Sequence, residues 1–477
     1  MGFDMTTLLL LLILGPTIFI LGWRRPFAVL SGLVLLLPFR DLSIRALNAF
    51  TSIPLETVNS LSRWWMVIVL ALLGVWAVKG IRSIKARRRL PKPGILDILL
   101  GILLILGLIE ALLSPNQLAG ITSLRGYLQP LLVFLLARSF IPKSTKELRF
   151  LNIALLVVGG LLFAMALWQF VGWTEETYKQ WGYVDQIGRI TGLFRDLEEL
   201  DLGTGFIRPA STVSGPNELG SLMLILFFLA LQWLFLGPRN ARPYLILLSV
   251  GFVAGLAMTN SRSVFIGFIA SAGMLILYLI RNFRSSFRGF GRSKWILIAV
   301  FSFIGLAGFL VMMDLMGMLD IVIWSIQHPL ADAHIVESLQ AVGDIWRQPA
   351  GVGMGMVWPK GAAILQETKA LYHIEGSLFQ IAFEWGVGGF AVWMLFIGIS
   401  LKKTWKGWER SNAFHVQALS GMAVLGWVGI LMVLIFLPLM QSVNLMVLLW
   451  FILGLGVGLE SSAGNFPELS EQSEAPS

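Results

Sequence analysis

Arg125, Arg208, Arg262 and Glu384 are charged residues set in or beside long apolar runs, and His373 and Glu375 stand just ahead of one such run. Charge at membrane depth is costly and is retained where it faces a protein interior, a watery cavity or a ligand. A single arginine near a helix end reaches up to lipid headgroups; three at one lip suit a dianion. Guanidinium groups stay charged and fork onto phosphate oxygens two bonds at a time. A His or Glu nearby could take a proton from a hydroxyl near neutral pH. In HIEGSLFQIAFEWGVGG (373–389), Ser377, Gln380 and Glu384 follow His373 by 4, 7 and 11 positions. A helix reaching back that far would carry all four on one face.

The elements that position these groups are membrane helices. The chain has 477 residues, 56% hydrophobic and 13% charged, with a mean hydropathy of +0.79. Apolar runs of roughly 17–23 residues, long enough to cross a bilayer as helices, recur from end to end. The fold class is therefore an all-α polytopic membrane protein. Spans are expected near 6–22, 26–39, 64–80, 95–113, 119–139, 150–172, 216–236, 243–259, 262–281, 295–313, 377–400, 415–437 and 442–459. That makes thirteen, or twelve if the first two form a broken pair. The first run lacks a basic leader and a cleavage site, so it reads as a retained span. Cysteine is absent, which excludes disulfides, thiolate nucleophiles and cysteine metal sites. The net charge of +9 reads as basic loops that hold topology and not as a nucleic-acid surface.

Alternate connections hold 24 of the 36 lysines and arginines. The positive-inside rule makes that side cytoplasmic and puts the N-terminus outside. Residues 1–459 form one helical domain, and the acidic tail 460–477 is expected to be cytoplasmic and disordered. Two long connections, 173–215 and 314–376, fall outside, and loops of that length are usually functional. The first is acidic. The second holds HIVESLQAVGDIW (334–346), with the pattern of an amphipathic helix, and then PAGVGMG (349–355). GVGMG has no Lys-Ser/Thr ending and follows no strand, so it is not a phosphate-binding P-loop. Its glycines suit tight turns and close backbone approach. GVGGF (386–390) and GLGVGL (454–459) read as helix-packing faces. His328, His334 and His415 lie apart from the polar stripe. No H-E-x-x-H spacing occurs, so neither a metal nor a cofactor is expected.

Four stretches occur in a telling order: RPASTVSGPNELG, TNSRS, PAGVGMG and SLFQIAFEWGVGG. Together they resemble the O-antigen ligase and O-antigen polymerase superfamily over roughly residues 120–460. The resemblance implies a metal-independent glycosyltransferase of the bacterial inner membrane with its active site on the periplasmic face. The donor would be a glycan on undecaprenyl diphosphate. The acceptor would be a hydroxyl on a repeat unit or on lipid A–core, with membrane lipid around the bundle and no nucleic acid involved. Carried onto this chain, Arg262, Arg208 and Arg125 would hold the diphosphate. Asn217, Ser261, Gln380 and Glu384 would be supporting polar positions. The ligase pattern H-N-x-x-L-Q, aligned on Gln380, puts its histidine at Glu375 and leaves His373 two residues away. The base is then His373 in a shifted register, or Glu375 in its place; this departure leans towards a polymerase-like member. A transporter or flippase of lipid-linked glycans is the alternative. It calls for ionisable groups near the midplane and paired broken helices, whereas here the charges gather towards the outer ends of the spans.

Overall fold

A computed structural model describes residues 5–51, 53, 55–87, 93–183, 194–195, 206–286, 333–357 and 374–462. In chain order the helices are α1 (Met5–Arg24), α2 (Pro26–Leu36), α3 (Arg40–Phe50), α4 (Leu55–Leu61), α5 (Trp64–Arg87), α6 (Ile95–Leu112), α7 (Gln117–Ser139), α8 (Thr145–Gly172) and α9 (Glu175–Gln180). A two-residue hairpin follows, β1 (Phe194–Arg195) antiparallel to β2 (Phe206–Ile207). Then come α10 (Pro216–Leu236), α11 (Arg242–Met258), α12 (Arg262–Ser286), α13 (Ala333–Arg347), α14 (Ser377–Glu384), α15 (Gly386–Arg410), α16 (Phe414–Phe436) and α17 (Val443–Ser462).

Eleven of the described helical segments are long and apolar enough to cross a membrane, counting α2 and α3 with the tight turn between them as one. The protein is an all-α, multi-pass membrane protein. Of the thirteen expected spans, 6–22 forms α1, whose apolar stretch Leu12–Arg24 is shorter than the others. The span expected at 295–313 lies outside the described residues, as do His328, His373 and most of the tail.

Two boundaries differ from expectation. The run expected to end at residue 39 continues to Phe50, because Arg40 pairs with Asp41 at 2.9 Å and Asn444 of α17 donates to the same carboxylate at 2.8 Å. Satisfied in this way, the charged stretch stays helical. The run expected to be one helix over 377–400 is two, broken at Trp385. The expected amphipathic helix in the second long connection is α13. It buries Ala341 beside Val357, Ile374 and Phe383 and leaves Trp346 exposed.

Helix ends are set locally. Asn116 caps α7 by accepting the Ala119 N–H at 3.0 Å. Asp97 near the start of α6 accepts the Gly94 N–H and pairs with Arg138 of α7 at 2.6 Å. Proline opens α2 and α10, where its missing N–H costs nothing.

The chain packs as two compact units: Met1–Ala154 with His334–Ala423 and Leu434–Ser477, and Leu155–Ala333 with Val424–Val433. In the first unit α7 and α17 meet backbone to backbone. A Cβ at Gly454 would overlap the Phe134 carbonyl, and one at Gly458 would come within 2.7 Å of the Arg138 carbonyl. Lipid tails supply no hydrophobic drive between helices, so small residues that permit close contact carry the association. Around this crossing Phe134 meets Phe396 of α15 at 5.0 Å and Trp393 meets Trp450 at 5.8 Å. In the second unit Gly267 of α12 faces the Gly429 carbonyl of α16, and Ser271 donates to the Leu425 carbonyl at 2.8 Å.

Gly454→Leu should force α7 and α17 apart and destabilise the protein by about 1–3 kcal/mol. Gly398, which has open space around its Cα, should accept alanine with no loss. Thermal unfolding in detergent checks both; equal midpoints for the two variants would rule out the close crossing.

Candidate functional site

The polar residues singled out in the sequence fall into two groups, one in each unit. In the first, Glu384 is the last residue of α14 and is 1% exposed. Its Oε1 accepts the Gly355 N–H at 3.0 Å and its Oε2 accepts the Ser123 hydroxyl at 3.2 Å. Gly355 ends GVGMG, in which Gly351, Gly353 and Gly355 have φ of +89°, +89° and +79°. These left-handed values, which favour glycine, let the loop lie against α7. A side chain at Gly355 would collide with the Ala119 backbone. Ser114 holds the loop from the α6–α7 turn by donating to the Met354 carbonyl at 2.7 Å.

The same loop closes the break between α14 and α15. Val352 N–H donates to the Phe383 carbonyl and Val387 N–H to the Pro349 carbonyl, both at 2.9 Å. Gly386 turns the chain with φ of +68°, against the Ala350 carbonyl. In the expected packing face GVGGF, Gly386 lies against the 349–350 backbone and Gly389 is buried against Trp385, while Gly388 has open space.

Gln380 is buried and donates to the Ile374 carbonyl at 2.7 Å, fixing the backbone next to half-buried Glu375. Ser377 ties the start of α14 to the turn after α16: its hydroxyl donates to the Leu437 carbonyl at 2.9 Å and accepts the Met440 N–H at 3.0 Å. Gly376 is the N-cap of α14, so the helix does not reach back to position 373. The four-residue stripe expected from His373 is therefore three residues, Ser377, Gln380 and Glu384. Arg125 lies two positions beyond Ser123 on α7, turned away from Glu384, because residues two apart do not share a helix face.

In the second unit Arg208 is 8% exposed and leads into the turn before α10. That turn is fixed from α8 by Gln169. Its Oε1 accepts the N–H groups of Ala210 at 3.1 Å and Ser211 at 2.6 Å, and its Nε2 donates to the Ser211 carbonyl at 2.9 Å. The Tyr183 hydroxyl donates to the same carbonyl. Trp173, Tyr178 and Tyr183 form an aromatic core with Ala210. Burial, with Tyr183 alongside, pushes the Tyr178 hydroxyl pKa up, so it stays a neutral phenol.

Glu218, next to Asn217 in the first turn of α10, accepts the Ser214 N–H at 3.0 Å and the Ser214 hydroxyl. Gly220 lets α10 close on Thr259, which a Cβ there would meet at 2.8 Å. Ser261 is buried, and Arg262 opens α12 half-buried. Between Thr259 and Ser261, Asn260 is fully buried with φ of +46°, and neither polar atom of its side chain has a hydrogen-bond partner among the described residues.

Among the described residues, Ser211 and Asn260 are the two non-glycines with positive φ. One lies three residues after Arg208 and the other two before Arg262. Such a conformation costs a non-glycine residue about 1–3 kcal/mol and persists where surroundings enforce it, commonly at functional sites. Sequence reading missed Gln169, Ser123 and Asn260. The signal for Gln169 was available, as a lone polar residue in the apolar run LWQFVGW. No cluster of three or more His, Asp and Glu side chains among the described residues could hold a metal ion. No known family model matches the chain, and no curated protein matches it.

Glu384→Ala should leave the Gly355 N–H and the Ser123 hydroxyl buried without acceptors, at about 1–3 kcal/mol each. Glu384→Gln, which keeps one acceptor oxygen, should recover part of that. Unfolding midpoints in detergent decide it, and wild-type stability in Glu384→Ala would show that the carboxyl group does not hold this node.

Proposed function

We propose that this protein is a membrane glycosyltransferase that moves a glycan from a polyprenyl-diphosphate carrier to a hydroxyl acceptor on the outer face of a bacterial inner membrane. The observation that carries the reading is where backbone strain falls. The strained non-glycine residues flank Arg208 and Arg262, and four of the five positive-φ glycines belong to GVGMG and to the break at Gly386. These are the stretches that resemble O-antigen ligases and polymerases. A bundle that only had to sit in lipid has no need of strained, buried polar turns at those places.

In this reading Arg208, Arg262 and Arg125 are the cations for the diphosphate. As the bond from the sugar C1 to the diphosphate oxygen breaks, negative charge builds on the leaving group, and fixed guanidinium groups lower that barrier. The acceptor hydroxyl attacks C1 as its proton passes to His373 or Glu375, a contribution of about 10²–10⁴-fold. Gln380 anchors the backbone at Ile374, between the two candidates. A single displacement of this kind inverts the anomeric configuration. In this reading Asn260, buried beside Arg262 and without a side-chain hydrogen-bond partner among the described residues, would receive a polar group of the donor.

Arg262→Lys keeps the charge and loses the fork. Its glycan transfer should fall by about 100-fold or more, with normal insertion into membranes; near-normal transfer would remove Arg262 from the site. His373→Ala and Glu375→Ala, made separately, should show one essential residue, and activity in both would end the assignment of a base. Deleting the gene and analysing lipid-linked glycans separates the classes. Accumulated single repeats mean a polymerase and accumulated long polymer a ligase, while unchanged surface glycan would reject both.

A further inference from the structure

Arg125 is not the sole cation in its surroundings. A cavity of about 290 Å³ in the first unit is lined by Arg40, Arg63 and Arg125, with Gln129 as a neutral polar group and with Met440 and Val447 among its apolar walls. Arg40 is already occupied: it pairs with Asp41 and donates from Nε to the Ser62 carbonyl at 3.1 Å. Arg63 and Arg125 are different. Neither guanidinium has a hydrogen-bond or ion-pair partner among the described residues, and no described carboxylate lines the cavity. Two like charges facing one cavity repel each other unless an anion lies between them. With Arg40 neutralised by Asp41, the surplus is two positive charges.

We infer that this cavity is a binding site for a phosphate-bearing dianion carried on a lipid, with Arg63 and Arg125 as its principal ligands and Arg40 as a positioned third. The charge count fits a phosphomonoester or a diphosphate. The lipid source follows from the wall. Met66 lines the cavity, and Leu70, one turn along α5 on the same face, is 54% exposed. An apolar track therefore leads from the cations to the lipid-facing surface of the helix. The turn that supplies Met440 is also the one bonded to Ser377 at the start of α14, so an occupied cavity would steady that segment. The inference rests on the proposed function only in treating Arg125 as a phosphate ligand; Arg40 and Arg63 belong to none of the motif stretches.

The test uses the purified full-length protein in nanodiscs of zwitterionic lipid. The two probes are a polyprenyl monophosphate incorporated in the disc and inorganic pyrophosphate in solution. Lipid binding is read by native mass spectrometry and pyrophosphate binding by calorimetry. The polyprenyl phosphate should bind. Arg63→Gln and Arg125→Gln should each weaken it by about 10-fold or more, with Arg63→Lys recovering part of the loss. Unfolding midpoints establish that the variants are folded, and Arg63, which is exposed, serves if Arg125→Gln is not. Wild-type affinity in Arg63→Gln, or no binding of either probe, overturns the site. Binding of pyrophosphate without the lipid overturns the lipid assignment. Glycan transfer is measured separately. A protein that transfers no glycan yet binds lipid phosphate through Arg63 discards the proposed function and leaves this site standing. Active transfer with binding unaffected by Arg63→Gln does the reverse.

Discussion

A buried carboxyl group is the constraint around which the first unit is built. Glu384 sits where water cannot reach it, and a carboxyl group without partners in such a place would cost several kcal/mol. Two donors to it come from segments far apart in sequence, the Gly355 N–H and the Ser123 hydroxyl. To deliver the first, a loop must press its backbone against α7, which three left-handed glycines permit. To make room for that loop, the helix must stop at Glu384 and resume at Gly386. Ser114 then holds the loop from below through the Met354 carbonyl. Remove the carboxyl group and the reason for the break, for the glycines and for the serine goes with it.

The second unit solves a related problem differently. Its two motif turns contain no glycine at the positions that need left-handed backbone. Ser211 is forced there by Gln169, which bonds both faces of the turn. Asn260 adopts it as the stop of α11, and asparagine is among the side chains that tolerate it best. The two residues differ in satisfaction. The N–H, carbonyl and hydroxyl of Ser211 are all bonded, so that turn is a rigid support for Arg208. Asn260 is left with both side-chain atoms lacking partners among the described residues, next to the arginine that begins α12. Rigid support on one side and an open valence on the other is what a preorganised site for a polar ligand requires.

Much of this architecture was legible in the chain. Spans in membranes are set by length and apolarity, quantities that a single sequence carries, and the described spans fall near the expected runs except at Pro26–Phe50 and Gly386–Arg410. GLGVGL read as a packing face because small residues have one main use inside lipid, and Gly454 and Gly458 of α17 pack directly against α7. The break at Trp385 was hidden. Apart from Gln380 and Glu384 the stretch from Leu378 to Ile399 is apolar, as in a single span, and the bonds that mark the break, from Glu384, Phe383 and Val387 to the 349–355 loop, are long-range. Gln169 and Ser123 were overlooked for a related reason. Attention to charge finds cations and carboxylates, while the neutral residues that hold them in place look like ordinary tolerated polarity.

The arginines carry that lesson furthest. Arg125 stood out because it interrupts an apolar run, while Arg63 and Arg40 sit in a short polar connection and at a helix junction, where basic residues are ordinary. Packing changes their meaning. Asp41 cancels Arg40 and is itself held by Asn444, 403 residues away in sequence, so the charge that remains at the cavity is fixed by a contact no local pattern reveals. What matters for binding an anion is the number of cations left over after the protein has satisfied its own. That number is a property of the folded unit, and at this cavity, among the described residues, it is two.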